Sequence, residues 1–146
     1  MMGTLTPAEI EDTLRQELVG RIGCHADGRT YVVPISFAYD GASIYGHSYE
    51  GLKIQMMRQN PEVCFEVDHA DNLSSWRSVI AWGHYEELHG DEAMHALRLL
   101  MARFLPIIQA SGAAPTHGAA PQHGAPGAVV FRLRLIEKTG RCERVA

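Results

Sequence analysis

The stretch that most constrains this chain is Tyr31–Gln59, YVVPISFAYDGASIYGHSYEGLKIQMMRQ. Its first part, Tyr31–Tyr39, is rich in Val, Ile, Phe and Tyr, which predicts a β-strand. Asp40-Gly41 follows, a dipeptide suited to a tight hairpin because both residues tolerate positive φ. Ala42–His47 then predicts a returning strand. Ser48 is placed to cap a helix whose first turns hold Gly51 and Lys53. Asn60-Pro61 ends that helix, since the residue before a proline avoids helical angles. The predicted order is strand, turn, strand, helix.

A helix start of this composition suits a phosphate. The first helical N–H groups have no internal partner, and the helix dipole is positive there. Gly51 lets an anion approach the backbone, Ser48 offers a hydroxyl, Lys53 a full charge, and His47 a further donor. Pro34 interrupts the preceding strand and cannot donate to a sheet ladder, so it marks an edge, a bulge or an opening. A flat ligand lying there would meet backbone groups of Val33, Ile35 and Ser36. The same spacing also suits an edge strand whose proline blocks aggregation, followed by an ordinary capped helix. The spacing alone leaves both readings open.

The rest of the chain supplies more strands than helices. Thr6, Pro7 and Glu9 form a capping-box start, and Ile10, Leu14 and Leu18 make an apolar stripe that Gly20 can end. Arg21–His25 predicts a short strand, turned by Asp27-Gly28 into the long one. Glu62–Asp68 alternates, with Val63, Phe65 and Val67 on one face and Cys64, Glu66 and Asp68 on the other. His69–Ser75 reads as a polar loop. Trp76–Leu88 is a further strand, in which Gly83 suggests a bulge. Asp91 can cap a helix running to Phe104, with Pro106 beyond its end. Residues 111–127, SGAAPTHGAAPQHGAPG, are low in complexity and read as a surface loop; His117 and His123 have no thiol or carboxylate between them to complete a metal site. Val129–Glu137 is the last strand, and the polar residues Lys138–Ala146 read as a tail. Six strands in hairpin order predict a mainly β, antiparallel barrel with flanking helices, as a single domain over 1–146.

Composition narrows the function. The net charge of −4 and pI near 6.0 argue against general nucleic-acid binding. No apolar run is long enough to span a bilayer, and no basic-then-apolar leader opens the chain, so the expected location is cytoplasmic, with no membrane partner. Cys24, Cys64 and Cys142 are odd in number and widely spaced, which predicts inert thiols rather than disulfides or zinc ligands. His84, His89 and His95 form no recognised ligand pattern, and no resident metal is expected. No nucleophile elbow is present.

Residues 30–68, TYVVPISFAYDGASIYGHSYEGLKIQMMRQNPEVCFEVD, together with WRSVIAWGHYEEL and the terminal KTGR, resemble the pyridoxamine 5′-phosphate oxidase-related family of FMN-binding split barrels. The resemblance is nearest to its nitroimidazole-resistance branch. It rests on the proline-containing strand, the HSxxGxK pattern at His47–Lys53 and the SVxxxG pattern at Ser78–Gly83. It implies a six-stranded Greek-key split barrel that forms a homodimer with FMN at the subunit interface; FAD or haem are the alternatives. By resemblance, Lys53 and Ser48 hold the FMN phosphate beside His47. Val33, Pro34, Ile35 and Ser36 run along the isoalloxazine and ribityl, and Ser78 lies near the ring. Trp76 either covers that ring or fills the dimer contact. Arg77 either supports phosphate or pairs with a carboxylate, and Arg141 either reaches the active site or is solvated. True pyridoxamine-phosphate oxidases carry a further C-terminal segment that is not found here, so oxidation of pyridoxamine phosphate is not expected. The implied function is an FMN-dependent oxidoreductase acting on a small organic substrate, nitro-group reduction being one candidate. A flavin or haem carrier without turnover is the alternative. A flavin enzyme needs no protein nucleophile, because the cofactor carries the electrons.

Overall fold

The computed structural model describes residues 1–112 and 127–145. Among these residues the chain forms β1 (Met2–Thr4), α1 (Pro7–Gln16), β2 (Val19–Ala26), β3 (Arg29–Ser36), β4 (Ala38–Tyr39), β5 (Ser43–Tyr49), α2 (Leu52–Gln59), β6 (Glu62–Asn72), β7 (Ser75–Glu87), α3 (Gly90–Ser111) and β8 (Ala128–Glu143). The strands pair antiparallel in the order β3-β2-β6-β7-β8-β5-β4, with β1 added to β8. The two ends of that order, β3 and β4, are separated in the chain by Phe37 alone. The sheet therefore curls back toward itself as the split barrel that was expected. The neighbours β2–β6 and β5–β8 are not consecutive in the chain, so connections cross between hairpins. Among the described residues there are eight strands rather than six, because the predicted strand Tyr31–Tyr39 is interrupted at Phe37 into β3 and β4, and Met2–Thr4 adds β1 beside the end of β8.

Local chemistry explains the boundaries. The Thr6 hydroxyl accepts from Glu9 N at 3.2 Å, and Glu9 Oε2 accepts from Thr6 N at 2.8 Å, the capping box read in the sequence. Asp27 and Gly28 both take positive φ, 52° and 73°, as the hairpin required. At Asp40-Gly41 only Gly41 does so. Asp40 instead accepts from the N–H groups of Ala42 and Ser43 at 2.9 and 2.8 Å, and from the Tyr45 hydroxyl.

The core lies inside the curl. Ile22, Ile35, Phe37, Ile44, Phe65, Val67, Val79, Phe131 and Leu133 are almost wholly buried, and α1 closes one side with Ile10 and Leu14, beside Leu5 just before the helix. On β6, Val63, Phe65 and Val67 face inward as the alternation predicted. The long β8 joins the two parts of the sheet. It pairs with β7 along most of its length, with β5 through its first half and with β1 at its end.

Four expectations are corrected. Ser48 does not cap α2; it is the sixth residue of β5, opposite Val129, and Gly51 occupies the cap position. Residues 69–72 extend β6 instead of looping. Pro106 lies within α3 rather than after it. Residues 138–143 are strand rather than tail, because Gly140 and Cys142 supply the inward positions there and Gly140 lies under Leu5 and Ile10. Residues 113–126, with His117 and His123, lie outside the described residues. Among the described residues no helix is long and apolar enough to cross a membrane.

Candidate functional site

Where β5 passes into α2, a cleft of about 380 Å³ opens beside β3, lined by Tyr31, Val33, Ser48, Tyr49, Glu50, Gly51, Leu52 and Lys53. It gathers Val33, Ser48 and Lys53 from the predicted set. Among the described residues the start of α2 receives no side-chain cap. Its N–H groups are therefore available to an anion. Gly51 is extended rather than left-handed, with φ −177°, so its backbone does not demand glycine. A Cβ there would meet nothing within 4 Å. The described residues thus leave space open beside the helix start.

Lys53 is half-buried at this opening. Burial pushes its ammonium below the usual lysine range, and the Cys24 thiol is the one group that offsets this. No carboxylate among the described residues pairs with it. Cys24 is buried, its thiol donates to Tyr31 O at 3.7 Å, and burial raises its pKa. A half-buried cation without a protein counter-charge is destabilised on its own and stabilised by a bound anion. Ser48 is buried, and its hydroxyl donates to Tyr49 O at 3.1 Å. His47 is buried next to it on β5.

β3 has one strand neighbour, β2, which makes it an edge, as Pro34 suggested. Pro34 is exposed on the outer face, Val33 is half-buried, and Ile35 points into the core. At the end of β3 the Ser36 hydroxyl is buried without a hydrogen-bond partner among the described residues. An orphaned buried hydroxyl is uncommon in a native protein and fits a polar group that the ligand supplies. The open helix start and Lys53 fit a phosphate group; Ser36 lies outside the lining of this cleft.

Trp76 and Ser78 do not join this cleft within one chain. Trp76 Nε1 donates to Glu143 Oε2 at 3.1 Å, in a separate groove with Leu5, Glu9, Asp12 and Arg144. Ser78 lies between Asp68 of β6 and Arg141 of β8. Among the described residues Arg77 pairs with no carboxylate; its Nη2 donates to Gln16 Oε1 at 2.8 Å. Sequence reasoning missed Tyr31, Tyr49, Glu50 and Leu52 as cleft walls. It also missed Cys24, whose electrostatic influence on Lys53 arises from α2 packing on β2. Glu50 alone had a legible signal, its position three residues before Lys53.

The pyridoxamine 5′-phosphate oxidase family model matches residues 6–141. An FAD-binding protein of Mesorhizobium loti is 32% identical, with 99% of each chain covered and a TM-score of 0.76. A candidate 5-nitroimidazole antibiotic resistance protein of Bacteroides thetaiotaomicron shares the fold at 23% identity and TM-score 0.72, covering 97% of this chain and 89% of its own. An FAD and haem binding protein of Mycobacterium smegmatis does so at 16% identity and TM-score 0.75, covering 99% and 74%. An uncharacterised Rhizobium meliloti protein is 35% identical over 81 residues, 56% of this chain, and the chain spans about half of that relative, 54%. The chain belongs to the pyridoxamine 5′-phosphate oxidase family.

Proposed function

We propose that this protein is a homodimeric, cytoplasmic flavoprotein that binds FMN and transfers electrons to or from a small organic substrate, a nitro compound being one candidate. The observation that carries the reading is Lys53, half-buried at a start of α2 that, among the described residues, has neither a side-chain cap nor a carboxylate partner for Lys53. In this reading Lys53 and the first N–H groups of α2 hold the flavin phosphate. Ser36 satisfies its hydroxyl on the cofactor, and β3 offers its free edge along the ring. Bound flavin supplies the two-electron chemistry. The protein orients the flavin and excludes water. FAD carries the same phosphate next to its ribityl chain, and the FAD-binding relative at 32% identity keeps it as the competing cofactor.

A second copy supplies the remaining wall. The outer face of the sheet carries exposed Val32, Pro34, Ile80, Trp82 and Ile136. Register aligns Val32, Gly23, Cys64 and Trp82 in one row across four strands. Pro34, Arg21, Glu66 and Ile80 form the next row. An apolar row flattened by a central glycine suits a matching surface. Trp76 and Ser78 of one copy then approach the β3 edge of the other.

Mass spectrometry of ligand released from purified protein tests the cofactor, with FMN near one per subunit expected. Protein that is colourless and ignores added FMN overturns the reading. Turnover of a nitro compound with NADH or NADPH separates an oxidoreductase from a flavin carrier, and a Soret band identifies the haem variant.

A further inference from the structure

The cleft that exposes Lys53 also contains a carboxylate that does not touch it. Glu50 lines the same opening three residues earlier, a separation at which side chains at a helix start can meet. Its position is fixed elsewhere. Arg58, in the last turn of α2, donates Nη1 and Nη2 to the two oxygens of Glu50 at 2.8 and 2.6 Å. Its Nε binds Glu87, which also accepts from the Tyr85 hydroxyl at 2.9 Å. The Glu50 N–H donates to Gly127 O at 2.8 Å. Arg58 thus holds both oxygens of a carboxylate that Lys53 could otherwise claim. A planar guanidinium binds a carboxylate through two parallel bonds, which a single ammonium cannot match.

We infer that Arg58 is a positioning residue for the anion end of the cleft: by clamping Glu50 it keeps the Lys53 ammonium open to a phosphate. The inference rests on the flavin-phosphate reading above. Arg58 does not line the cleft and acts through Glu50. Without it, Glu50 is released onto Lys53. There it forms an internal ion pair that an incoming phosphate must break, and it repels that phosphate. The clamp therefore sets affinity for the phosphate group and leaves the rings unaffected.

The test compares the parent protein, Arg58→Ala and Arg58→Ala/Glu50→Gln in titrations with FMN and with riboflavin, which lacks the phosphate. The Arg58→Ala change is expected to weaken FMN about fivefold and to leave riboflavin within about twofold, the range open to a partly exposed ion pair. Adding Glu50→Gln restores FMN affinity. Equal losses for both flavins, no loss at all, or a loss that Glu50→Gln does not restore overturn the inference. A second readout needs no flavin. The Lys53 amine, titrated by NMR in the ligand-free protein, is expected to rise in pKa on Arg58→Ala and to fall back in the double variant. An unchanged titration overturns the clamp even if FMN binds. A parent protein that ignores FMN while Lys53 shifts as expected overturns the flavin reading and leaves the clamp standing.

Discussion

The Phe131 ring stands where a side chain on Gly46 would have to go. The two residues are register partners across β5 and β8, and a Cβ on Gly46 would lie 2.5 Å from Phe131 Cζ. Phe131 is 1% exposed and in contact with the Tyr85 ring, so it has little room to yield. Gly46→Ala is expected to destabilise the fold by about 1–3 kcal/mol, the usual range for overpacking. Urea unfolding measures it, and a change below half a kcal/mol, roughly the surface-substitution range, means the ring moves freely.

Lys53→Met separates stability from binding. The depressed pKa means that the folded, ligand-free chain holds fewer protons than the unfolded chain between the two pKa values. Its stability therefore rises with pH through that window, up to the ordinary lysine range. The variant is expected to lose that slope and to be no less stable than the parent at neutral pH. Its FMN affinity is expected to fall by at least ~1.5 kcal/mol, the loss of a charge-assisted hydrogen bond. Unfolding curves across alkaline pH and a flavin titration check the two halves. Unchanged FMN affinity removes Lys53 from the phosphate site.

Ser36→Ala probes the orphaned hydroxyl. Leaving a buried hydroxyl unpaired costs about 1–3 kcal/mol. Its removal is expected to leave the ligand-free protein at least as stable while weakening flavin binding. A variant that is less stable without ligand shows that Ser36 serves the fold instead.

Lys138 ties β8 to α1 and β4. Its Nζ donates to Glu11 Oε1 at 2.5 Å and to the Tyr39 hydroxyl at 2.9 Å, and that hydroxyl donates to Glu11 Oε2 at 2.7 Å. Burial pushes Glu11 upward, but the hydrogen bonds from Lys138 and Tyr39 and the nearby charges of Lys138 and Arg15 outweigh it, so its carboxyl lies below the usual range. A depressed carboxyl contributes stability that is full above its unfolded pKa and is lost as pH falls through the folded one. Lys138→Met is expected to cost about 1 kcal/mol at neutral pH, given the partial exposure of the pair, and less in acid. A loss that persists unchanged below the carboxylate range contradicts the assignment.

Trp82→Glu tests the second copy. The parent is expected to sediment as twice its 16.1 kDa chain. A charge in the middle of the Val32–Trp82 row is expected to give monomers with weakened flavin binding. A monomeric parent that binds flavin fully removes the interface from the site.

How much of this was visible in the sequence depends on how local the cause was. The Thr6 capping box, the Asp27-Gly28 turn and the Val63–Val67 alternation are set within a few residues and were read correctly. Ser48 was misread because serine suits a helix cap, whereas pairing with Val129 carries β5 through to Tyr49. Pro106 reads as a stop from propensity alone, yet α3 continues to Ser111. Residues 138–143 look like a polar tail until α1 is packed over Gly140. In the site, sequence spacing marks a helix start near Lys53, and only the family resemblance makes that start a phosphate site. The Arg58 clamp and the Cys24 neighbour were not legible there, because each joins elements that only the folded sheet brings together.

One consequence concerns synthesis. Since, among the described residues, β8 alone pairs with both β5 and β7, a nascent chain without it can form two separate sets of paired strands, β3–β2–β6–β7 and β4–β5. Each leaves an unsatisfied strand edge waiting for β8, which is synthesised after both. The growing polypeptide is therefore most vulnerable to pairing with a neighbour just before β8 emerges.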